Sequence, residues 1–154
     1  NAGTGVGGPI AETEEEAFDK VFGLNTKGTF FSMREAARRI NQNGRIVNIS
    51  SGLVVRPIAG FSLYVGSKAA VELMGKVLSM ELGERGITVN TVSPGPTETE
   101  MFAHSGDDPT AAAARSPFNR LGKPEDIADV VAFVVSDQCR WITGHTFQAG
   151  GGYV

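Results

Sequence analysis

The sequence predicts an α/β fold in which a parallel sheet carries helices on both of its faces. Long segments with apolar residues at helical spacing alternate along the chain with short runs that are mostly apolar and β-branched. Such short apolar runs are typical of strands buried on both faces. Because parallel strands need long crossover connections, which are usually helices, the alternation favours a parallel sheet.

Composition indicates a globular protein and excludes several classes of site. The 154 residues suffice for one domain, and the hydrophobic and charged fractions, 41% and 20%, are ordinary. The net charge of −3, with no basic run, argues against a nucleic-acid surface or a polybasic membrane anchor. Cys139 is the only cysteine, and His104 and His145 lack metal-ligand spacing, so neither a disulfide nor a metal site is expected. With no membrane span and no signal peptide recognised, we expect a cytoplasmic location.

The first helix is predicted from about residue 14 to residue 41. Thr13 and Glu16 fit a capping box, and the acidic first turn suits the positive end of a helix. A disturbance is expected near Asn25 and Gly28. The apolar residues at roughly helical spacing are Phe18, Val21, Phe22, Phe30, Met33, Ala37 and Ile40.

The first strand and the second helix follow. Asn43-Gly44 ends the first helix, and residues 45–50 read as a buried strand. The second helix is predicted over residues 63–85 and ends at Gly86. Because this helix is apolar nearly all round, it must be covered on several sides, by the core or by a partner subunit.

Three more elements complete the order. A strand over residues 87–92 is broken at Pro94-Gly95-Pro96, and residues 103–117 are expected to form a mobile loop or weak helix. Pro124 at a first helical turn predicts a third helix through about Ser136. Residues 146–148 read as the core of a last strand.

A functional site is predicted where the strands end. In open parallel sheets ligands bind beyond the carboxyl ends of the strands, where Ser51 and Pro94-Gly95 lie. Tyr64 and Lys68, four residues apart at a helix start, project from one helix face. Ionising a free tyrosine at pH 7 costs about 4 kcal/mol, and a nearby ammonium lowers that cost. Tyr64 is thus a candidate general acid or base, and Ser51 a candidate partner of the substrate oxygen. Alternatively, Tyr64 and Lys68 are only a surface pair.

Several motifs, in order and spacing, resemble those of the short-chain dehydrogenase/reductase family across essentially the whole chain. They are Asn1-Ala2-Gly3, Asn25-Thr26-Lys27-Gly28, the run from Gly44 to Ser51, Tyr64-Val65-Gly66-Ser67-Lys68-Ala69-Ala70, Pro94-Gly95-Pro96-Thr97-Glu98-Thr99, and the ending from Ile142 to Gly151. The resemblance implies a Rossmann-like sheet. It also implies transfer of a hydride between NAD or NADP, with NADP slightly favoured, and a carbonyl or secondary alcohol.

The resemblance also implies catalytic roles. Tyr64 would be the acid or base, and Lys68 would lower its pKa and hold the hydroxyls of the nicotinamide ribose. Ser51 would orient the substrate carbonyl. Asn25 would interrupt its helix and hold a water in a proton relay to Lys68. Asn25 could instead merely cap or kink the helix.

For the cofactor, the resemblance implies two groups of contacts. Backbone around Pro94, Gly95 and Thr97, with the hydroxyl of Thr99, would grip the nicotinamide carboxamide. The run Asn1-Ala2-Gly3 would lie against the adenine-side ribose. Each group has a structural alternative: Thr99 as an N-cap, Pro94-Gly95 as a strand terminator, and residues 1–3 as a simple turn.

The sequence departs from the family in one large respect. The glycine-rich turn TGxxxGxG, which binds the cofactor pyrophosphate in the family, is missing, and Gly3-x-Gly5-x-x-Gly8 follows no strand. We therefore expect residues 1–154 to form a partial Rossmann-like domain, the C-terminal half, with about three strands. It could be part of a complete enzyme, a truncation that dimerises, or an inactive fragment acting as a self-associating module.

The resemblance and the apolar helices also predict partners. We expect a homodimer or homotetramer formed through the helices predicted over residues 14–41 and 63–85. The loops over residues 52–62 and 100–118 are expected to shape the pocket for a small-molecule substrate, and their apolar residues suggest an apolar substrate body. A lyase or isomerase that reuses this fold is a third alternative.

Overall fold

A three-stranded parallel sheet forms the centre of the fold. The computed structural model describes residues 3–154. Strands β1 (Arg45–Ile49), β2 (Thr88–Pro94) and β3 (Thr146–Ala149) lie side by side in the order β1-β2-β3. The predicted parallel sheet and its number of strands are confirmed.

The first helical region is a single run with an irregular centre. Helix α1 (Glu15–Phe22) passes through a π-helical segment (Gly23–Gly28) into α2 (Thr29–Arg39). A π-helix widens the hydrogen-bonded turn, and such turns often lie at functional sites. The predicted disturbance near Asn25 and Gly28 is therefore confirmed.

The predicted cap of this helix is wrong. The N-cap residue is Glu14, whose backbone is extended, and no side chain caps the helix. Thr13 lies one residue earlier, and its hydroxyl donates a hydrogen bond of 3.0 Å to the carbonyl oxygen of Pro9. The short helical turn Ile10–Glu12 directs Thr13 back toward Pro9 and away from the start of α1.

The remaining helices follow the prediction with small differences. Helix α3 (Ser62–Glu81) leads into the turn Gly83–Arg85, and Gly86 ends it with a φ of 67°, a left-handed conformation that suits glycine. The segment expected to be a loop or weak helix contains two short helices, α4 (Glu100–Ala103) and α5 (Pro109–Ala113).

Helix α6 (Pro124–Val135) begins at the proline predicted to start it. The carboxylate of Asp126 accepts a hydrogen bond of 2.7 Å from the backbone N–H of Lys123, which satisfies one free donor at the helix start. Helix α6 packs against all three strands.

The sheet has one face toward α3 and the other toward α6. Val89 belongs to a buried cluster with residues of α2 and α3, and Thr91 lies beside Gly75 of α3. Because side chains alternate along a strand, Asn90 and Val92 point to the other face, toward α6. The buried cluster comprises Met33, Val71, Leu78, Leu82, Ile87 and Val89.

Helix α3 is apolar on its outer side as well. Leu73, Val77 and Met80 are 66%, 55% and 72% exposed, respectively. The core therefore covers only part of the apolar surface that the sequence analysis identified on this helix. Within residues 3–154, the helices are all too short or too polar to cross a lipid bilayer.

Candidate active site

Tyr64 and Lys68 lie in the first two turns of α3, one helical turn apart. Lys68 is only 9% exposed, and its Nζ donates a hydrogen bond of 3.1 Å to the carbonyl oxygen of Ile49, the last residue of β1. The same Nζ lies 5.9 Å from the centroid of the Tyr64 ring. Gly5 approaches the ring so closely that a Cβ there would lie 3.3 Å from it. The alternative of an exposed surface pair is therefore wrong.

Ser51 lies directly beyond the end of β1, beside the same phenol. It is 9% exposed, and it lies close enough to Tyr64 to favour the ionised form of the phenol. Its Oγ also accepts a hydrogen bond of 3.3 Å from the backbone N–H of Leu53, which caps the short helical turn Gly52–Val54. The strand end and the start of α3 thus bring together a hydroxyl, a phenol and an ammonium.

Ser50 ties this strand end to its neighbours. Its hydroxyl donates a hydrogen bond of 2.5 Å to the carboxylate of Glu72, which lies one turn after Lys68 on α3. Its backbone N–H donates a hydrogen bond of 2.8 Å to the carbonyl oxygen of Val92. Ser50 is therefore bonded both to α3 and to β2. These two bonds fix the position of the adjacent Ser51 relative to α3.

Asn25 connects the π-helical segment to α3 and to the chain before α1. Its side chain is 1% exposed, and its Nδ2 donates hydrogen bonds to the carbonyl oxygen of Thr4 (2.8 Å) and to Oγ of Ser67 (2.9 Å). Its Oδ1 accepts a hydrogen bond of 2.9 Å from the backbone N–H of Thr4. In this structure the polar atoms of the side chain are all engaged by protein groups.

Gly3 lies where Lys68 and Asn25 meet. A Cβ at this position would lie 3.6 Å from both the Nζ of Lys68 and the Oδ1 of Asn25. A side chain at this position would therefore contact the ammonium, and Gly3 has none. Asn1 and Ala2, predicted to contact the cofactor, lie outside the described residues.

Pro94 and Gly95 lie at the end of β2, next to the Ser51 loop. A Cβ on Gly52 would lie 3.2 Å from the carbonyl oxygen of Pro94. The backbone N–H of Gly95 donates a hydrogen bond of 3.2 Å to the carbonyl oxygen of Ala149, and a Cβ on Gly95 would lie 2.8 Å from the Cα of Gly150. Gly95 is therefore required for close backbone packing.

Thr97 and Thr99 follow in the same loop and use their hydroxyls locally. The Thr97 hydroxyl donates a hydrogen bond of 2.9 Å to the carbonyl oxygen of Gly95. The Thr99 Oγ1 accepts a hydrogen bond of 3.2 Å from the backbone N–H of Phe102, so Thr99 is the N-cap of α4. The structural alternative for Thr99 is confirmed, while its contact with a cofactor stays a prediction.

Comparisons with known proteins agree with this arrangement. A family profile described as enoyl-(acyl carrier protein) reductase matches residues 1–154. A short-chain type dehydrogenase/reductase of Picea abies is 45% identical over 149 residues, which are 94% of this chain and 55% of that protein. The chain belongs to the short-chain dehydrogenase/reductase family.

Two further proteins are similar to this short-chain dehydrogenase/reductase over nearly the whole chain. An NADPH-dependent aldehyde reductase-like protein, chloroplastic, of Arabidopsis thaliana is 44% identical over 150 residues, 94% of this chain and 55% of that protein. The structure of the angucycline C-6 ketoreductase LanV with bound NADP superposes with a TM-score of 0.92 at 37% identity. That match covers 99% of this chain and 60% of LanV. The chain therefore spans about half the length of the curated relatives it matches.

In this short-chain dehydrogenase/reductase the pKa of Tyr64 is higher than the sequence analysis predicted. Burial raises the pKa of Tyr64 above the ordinary tyrosine value, and the nearby Ser51 offsets only part of this effect. Burial also lowers the pKa of Lys68. The prediction of a lowered Tyr64 pKa is therefore wrong for the chain alone, because desolvation disfavours both the phenolate and the ammonium.

The sequence analysis of this family member missed the residues that support the site. Ser67 is fully buried, and its Oγ donates a hydrogen bond of 2.8 Å to the carbonyl oxygen of Tyr64 while it accepts one from Asn25. Ser50 and Glu72 were missed in the same way. No periodicity or motif spacing indicates these pairs, since they join segments that are far apart in the sequence.

Proposed function

We propose that the complete protein is an NADP(H)-dependent oxidoreductase that transfers a hydride between the cofactor and a carbonyl or secondary alcohol substrate. The observation that carries this proposal is the convergence of Ser51, Tyr64 and Lys68 at the carboxyl end of β1. NADP is favoured over NAD because the relatives include an NADPH-dependent reductase and a ketoreductase solved with NADP.

The residues at this site fit a nicotinamide ribose. An ammonium has three donors, and in Lys68 the structure shows one of them bound to the carbonyl oxygen of Ile49. The remaining two suit a pair of ribose hydroxyls, and Gly3 places no side chain beside them. The hydrogen bond to Ile49 thus fixes the direction of the Lys68 ammonium. We assign Lys68 to binding the nicotinamide ribose.

The predicted contacts with the nicotinamide carboxamide and the predicted role of Asn25 are also part of this proposal. The carbonyl oxygen of Pro94 lies next to the Ser51 loop, and we assign the backbone around Pro94, Gly95 and Thr97 to binding the nicotinamide carboxamide. To donate to that group, the Thr99 hydroxyl would give up the hydrogen bond of 3.3 Å that it donates to the carbonyl oxygen of Thr97, and it could keep its cap of α4 as an acceptor. For Asn25, we assign the π-helical backbone, and not the fully bonded side chain, to holding a relay water.

Proton transfer follows from the state of the phenol. Lys68 would hold the ribose of the reduced cofactor, which when bound would provide the hydride for the carbonyl carbon. Tyr64, which its raised pKa keeps neutral at pH 7, donates its proton to the carbonyl oxygen as negative charge develops there. Ser51 donates a hydrogen bond to the same oxygen and orients it. The product is the alcohol, and the reverse reaction requires the phenolate.

A fluorescence titration combined with an absorbance assay tests the proposed function. We expect the full-length protein to bind NADPH and to consume it only when a carbonyl compound is present, for example butanal or 2-tetralone. Residues 1–154 alone are the comparison, since this part spans about half of its relatives. Failure of the full-length protein to bind NADPH or to reduce any member of an aldehyde and ketone panel would contradict the proposal.

The pH dependence provides a second test. Because the pKa of Tyr64 is raised above about 10, we expect the kcat of carbonyl reduction to change by less than about twofold between pH 6 and pH 9. Alcohol oxidation needs the phenolate, whose fraction rises about tenfold per pH unit below the pKa, so its kcat should rise with pH over the same range. Steady-state kinetics in both directions measure this. A reduction rate that falls with a midpoint near pH 7 would argue against a neutral tyrosine as the acid.

A second candidate function is a self-associating module without catalysis. The exposed apolar side of α3, with Leu73, Val77 and Met80, favours it, and the same surface would serve a homodimer or homotetramer of the enzyme. NADPH binding by the full-length protein discriminates between the two functions. The cytoplasmic location stays a prediction.

A further inference from the structure

The chain before α1 lies against the first turn of α3, and its closest approach there is to the Tyr64 ring. A Cβ on Gly5 would lie 3.3 Å from Cδ2, 3.7 Å from Cγ and 3.9 Å from Cβ of Tyr64. The first of these distances is shorter than the optimal separation of about 3.5–4.0 Å between carbon atoms. A side chain at Gly5 would therefore displace either the ring or the segment that contains Gly5.

Hydrogen bonds hold this segment on both sides of Gly5. Before it, the side chain of Asn25 binds the backbone of Thr4 twice, since its Oδ1 accepts from the N–H (2.9 Å) and its Nδ2 donates to the carbonyl oxygen (2.8 Å). After it, the backbone N–H of Gly8 donates a hydrogen bond of 2.8 Å to the carbonyl oxygen of Gly60. These bonds oppose a movement of the segment away from α3.

The backbone of Tyr64 is held by the same amide. The Oγ of Ser67 donates a hydrogen bond of 2.8 Å to the carbonyl oxygen of Tyr64 and accepts one of 2.9 Å from Nδ2 of Asn25. Ser67 is fully buried and Asn25 is 1% exposed, so both bonds are shielded from water. Asn25 thus fixes the backbone on each side of the contact between Gly5 and the ring. The part left free to move is the Tyr64 side chain, which turns about its Cα–Cβ bond.

Glycine is needed at this position because of the ring and not because of the backbone. The φ of Gly5 is negative, so the backbone conformation itself does not favour glycine. Gly7, two residues later, also has a negative φ. A Cβ on Gly7 would lie 3.8 Å from the carbonyl oxygen of Gly60 and 3.9 Å from Cζ of Phe61, which are ordinary contact distances. The two positions therefore differ in the contact that an added methyl group would make.

We propose that Gly5 is a positioning residue that fixes the direction of the Tyr64 ring, and with it the place of the phenol hydroxyl. This inference rests on the proposed function, in which that hydroxyl donates its proton to the substrate oxygen. Transfer requires the two oxygens to lie about 2.6–3.2 Å apart. The hydroxyl is at the far end of the ring, so a rotation that clears a methyl group on residue 5 moves the hydroxyl further than Cδ2.

The test is Gly5→Ala in the full-length protein, with Gly7→Ala as the matched control. A misplacement of 1 Å can slow a reaction by about 100-fold, so a shift of a few tenths of an ångström should lower kcat for carbonyl reduction by about three- to tenfold. The dissociation constant of NADPH should stay within about twofold of the wild-type value, because Gly5 contacts the ring and not Lys68. In Gly7→Ala, both quantities should be unchanged within about twofold.

The same substitution in Tyr64→Phe distinguishes an effect through the hydroxyl from a general distortion of the site. If Gly5 acts only by placing that hydroxyl, adding Gly5→Ala should change the residual turnover of Tyr64→Phe by less than about twofold. A methyl group that blocks the substrate, or one that distorts the whole site, would lower the residual turnover as well. A further loss of threefold or more in the double variant would therefore overturn the positioning role.

A crystal structure of full-length Gly5→Ala provides a measurement that does not depend on turnover. We expect the Tyr64 hydroxyl to move further than the Cα atoms of Thr4 and Tyr64. An unmoved ring, or an equal loss of kcat in the two alanine variants, would overturn the role of Gly5 and leave the oxidoreductase function intact. An absence of turnover in the wild-type protein would refute the oxidoreductase function, and the position of the ring would then decide whether Gly5 fixes it.

Discussion

Tyr64→Phe in the full-length protein is expected to lower kcat for carbonyl reduction by about 10²- to 10⁴-fold, the usual contribution of a positioned general acid. Phenylalanine retains the ring that Gly5 contacts but has no proton to donate. Because only one hydroxyl is removed and the ring keeps its volume, the free energy of unfolding should change by only about 1 kcal/mol. Single-turnover absorbance measurements at saturating NADPH isolate the chemical step.

The affinity for NADPH separates a chemical effect from a binding effect. If Tyr64 acts only as the acid, the dissociation constant of NADPH should change by less than about threefold in Tyr64→Phe, and the denaturation midpoint should stay close to that of the wild type. Near-normal turnover in a variant that binds NADPH normally would contradict the proposed proton transfer.

Lys68→Met should weaken NADPH binding by about tenfold or more and slow turnover as well. The change keeps most of the side-chain volume but removes the donors assigned to the ribose and the positive charge beside Tyr64. Charged hydrogen bonds of this kind contribute about 1.5–3 kcal/mol each, which corresponds to about 10- to 150-fold in affinity. The carbonyl oxygen of Ile49 also loses its donor, so the free energy of unfolding should fall by about 1–3 kcal/mol.

Lys76→Met is the matched control for this variant. Lys76 lies on the same helix about two turns further on and is exposed. Its replacement should leave NADPH affinity and turnover unchanged within about twofold. Equal effects of the two substitutions would show that general loss of charge on α3, and not the position of Lys68, accounts for the result.

Part of the fold and site was predictable because it depends on local chemistry. Pro124 at a first helical turn and Gly86 with a left-handed backbone mark element ends through their own conformational preferences. The four-residue spacing of Tyr64 and Lys68 places both on one helix face in any α-helix. The strand over Arg45–Ile49 likewise followed from its composition, which placed Ser51 at a strand end.

Other predictions failed because tertiary contacts outweighed a local pattern. Thr13 has the residue type and spacing of a capping box, yet its hydroxyl bonds to Pro9, because the preceding helical turn brings that carbonyl within reach. The pKa of Tyr64 was expected to fall because a cation lies one turn away. Burial raises it instead, and burial depends on segments that the local motif does not contain.

By itself the sequence determined the α/β fold, the alternation of its elements and the residues that carry the proposed chemistry. Only the tertiary structure decided how that chemistry is supported: Asn25 reaches Thr4 and Ser67, and Glu72 holds Ser50. Periodicity and motif spacing report conformational preferences over a few turns or one strand. A hydrogen bond between distant segments leaves no such periodic signal, because its partners become neighbours only when the sheet and helices pack.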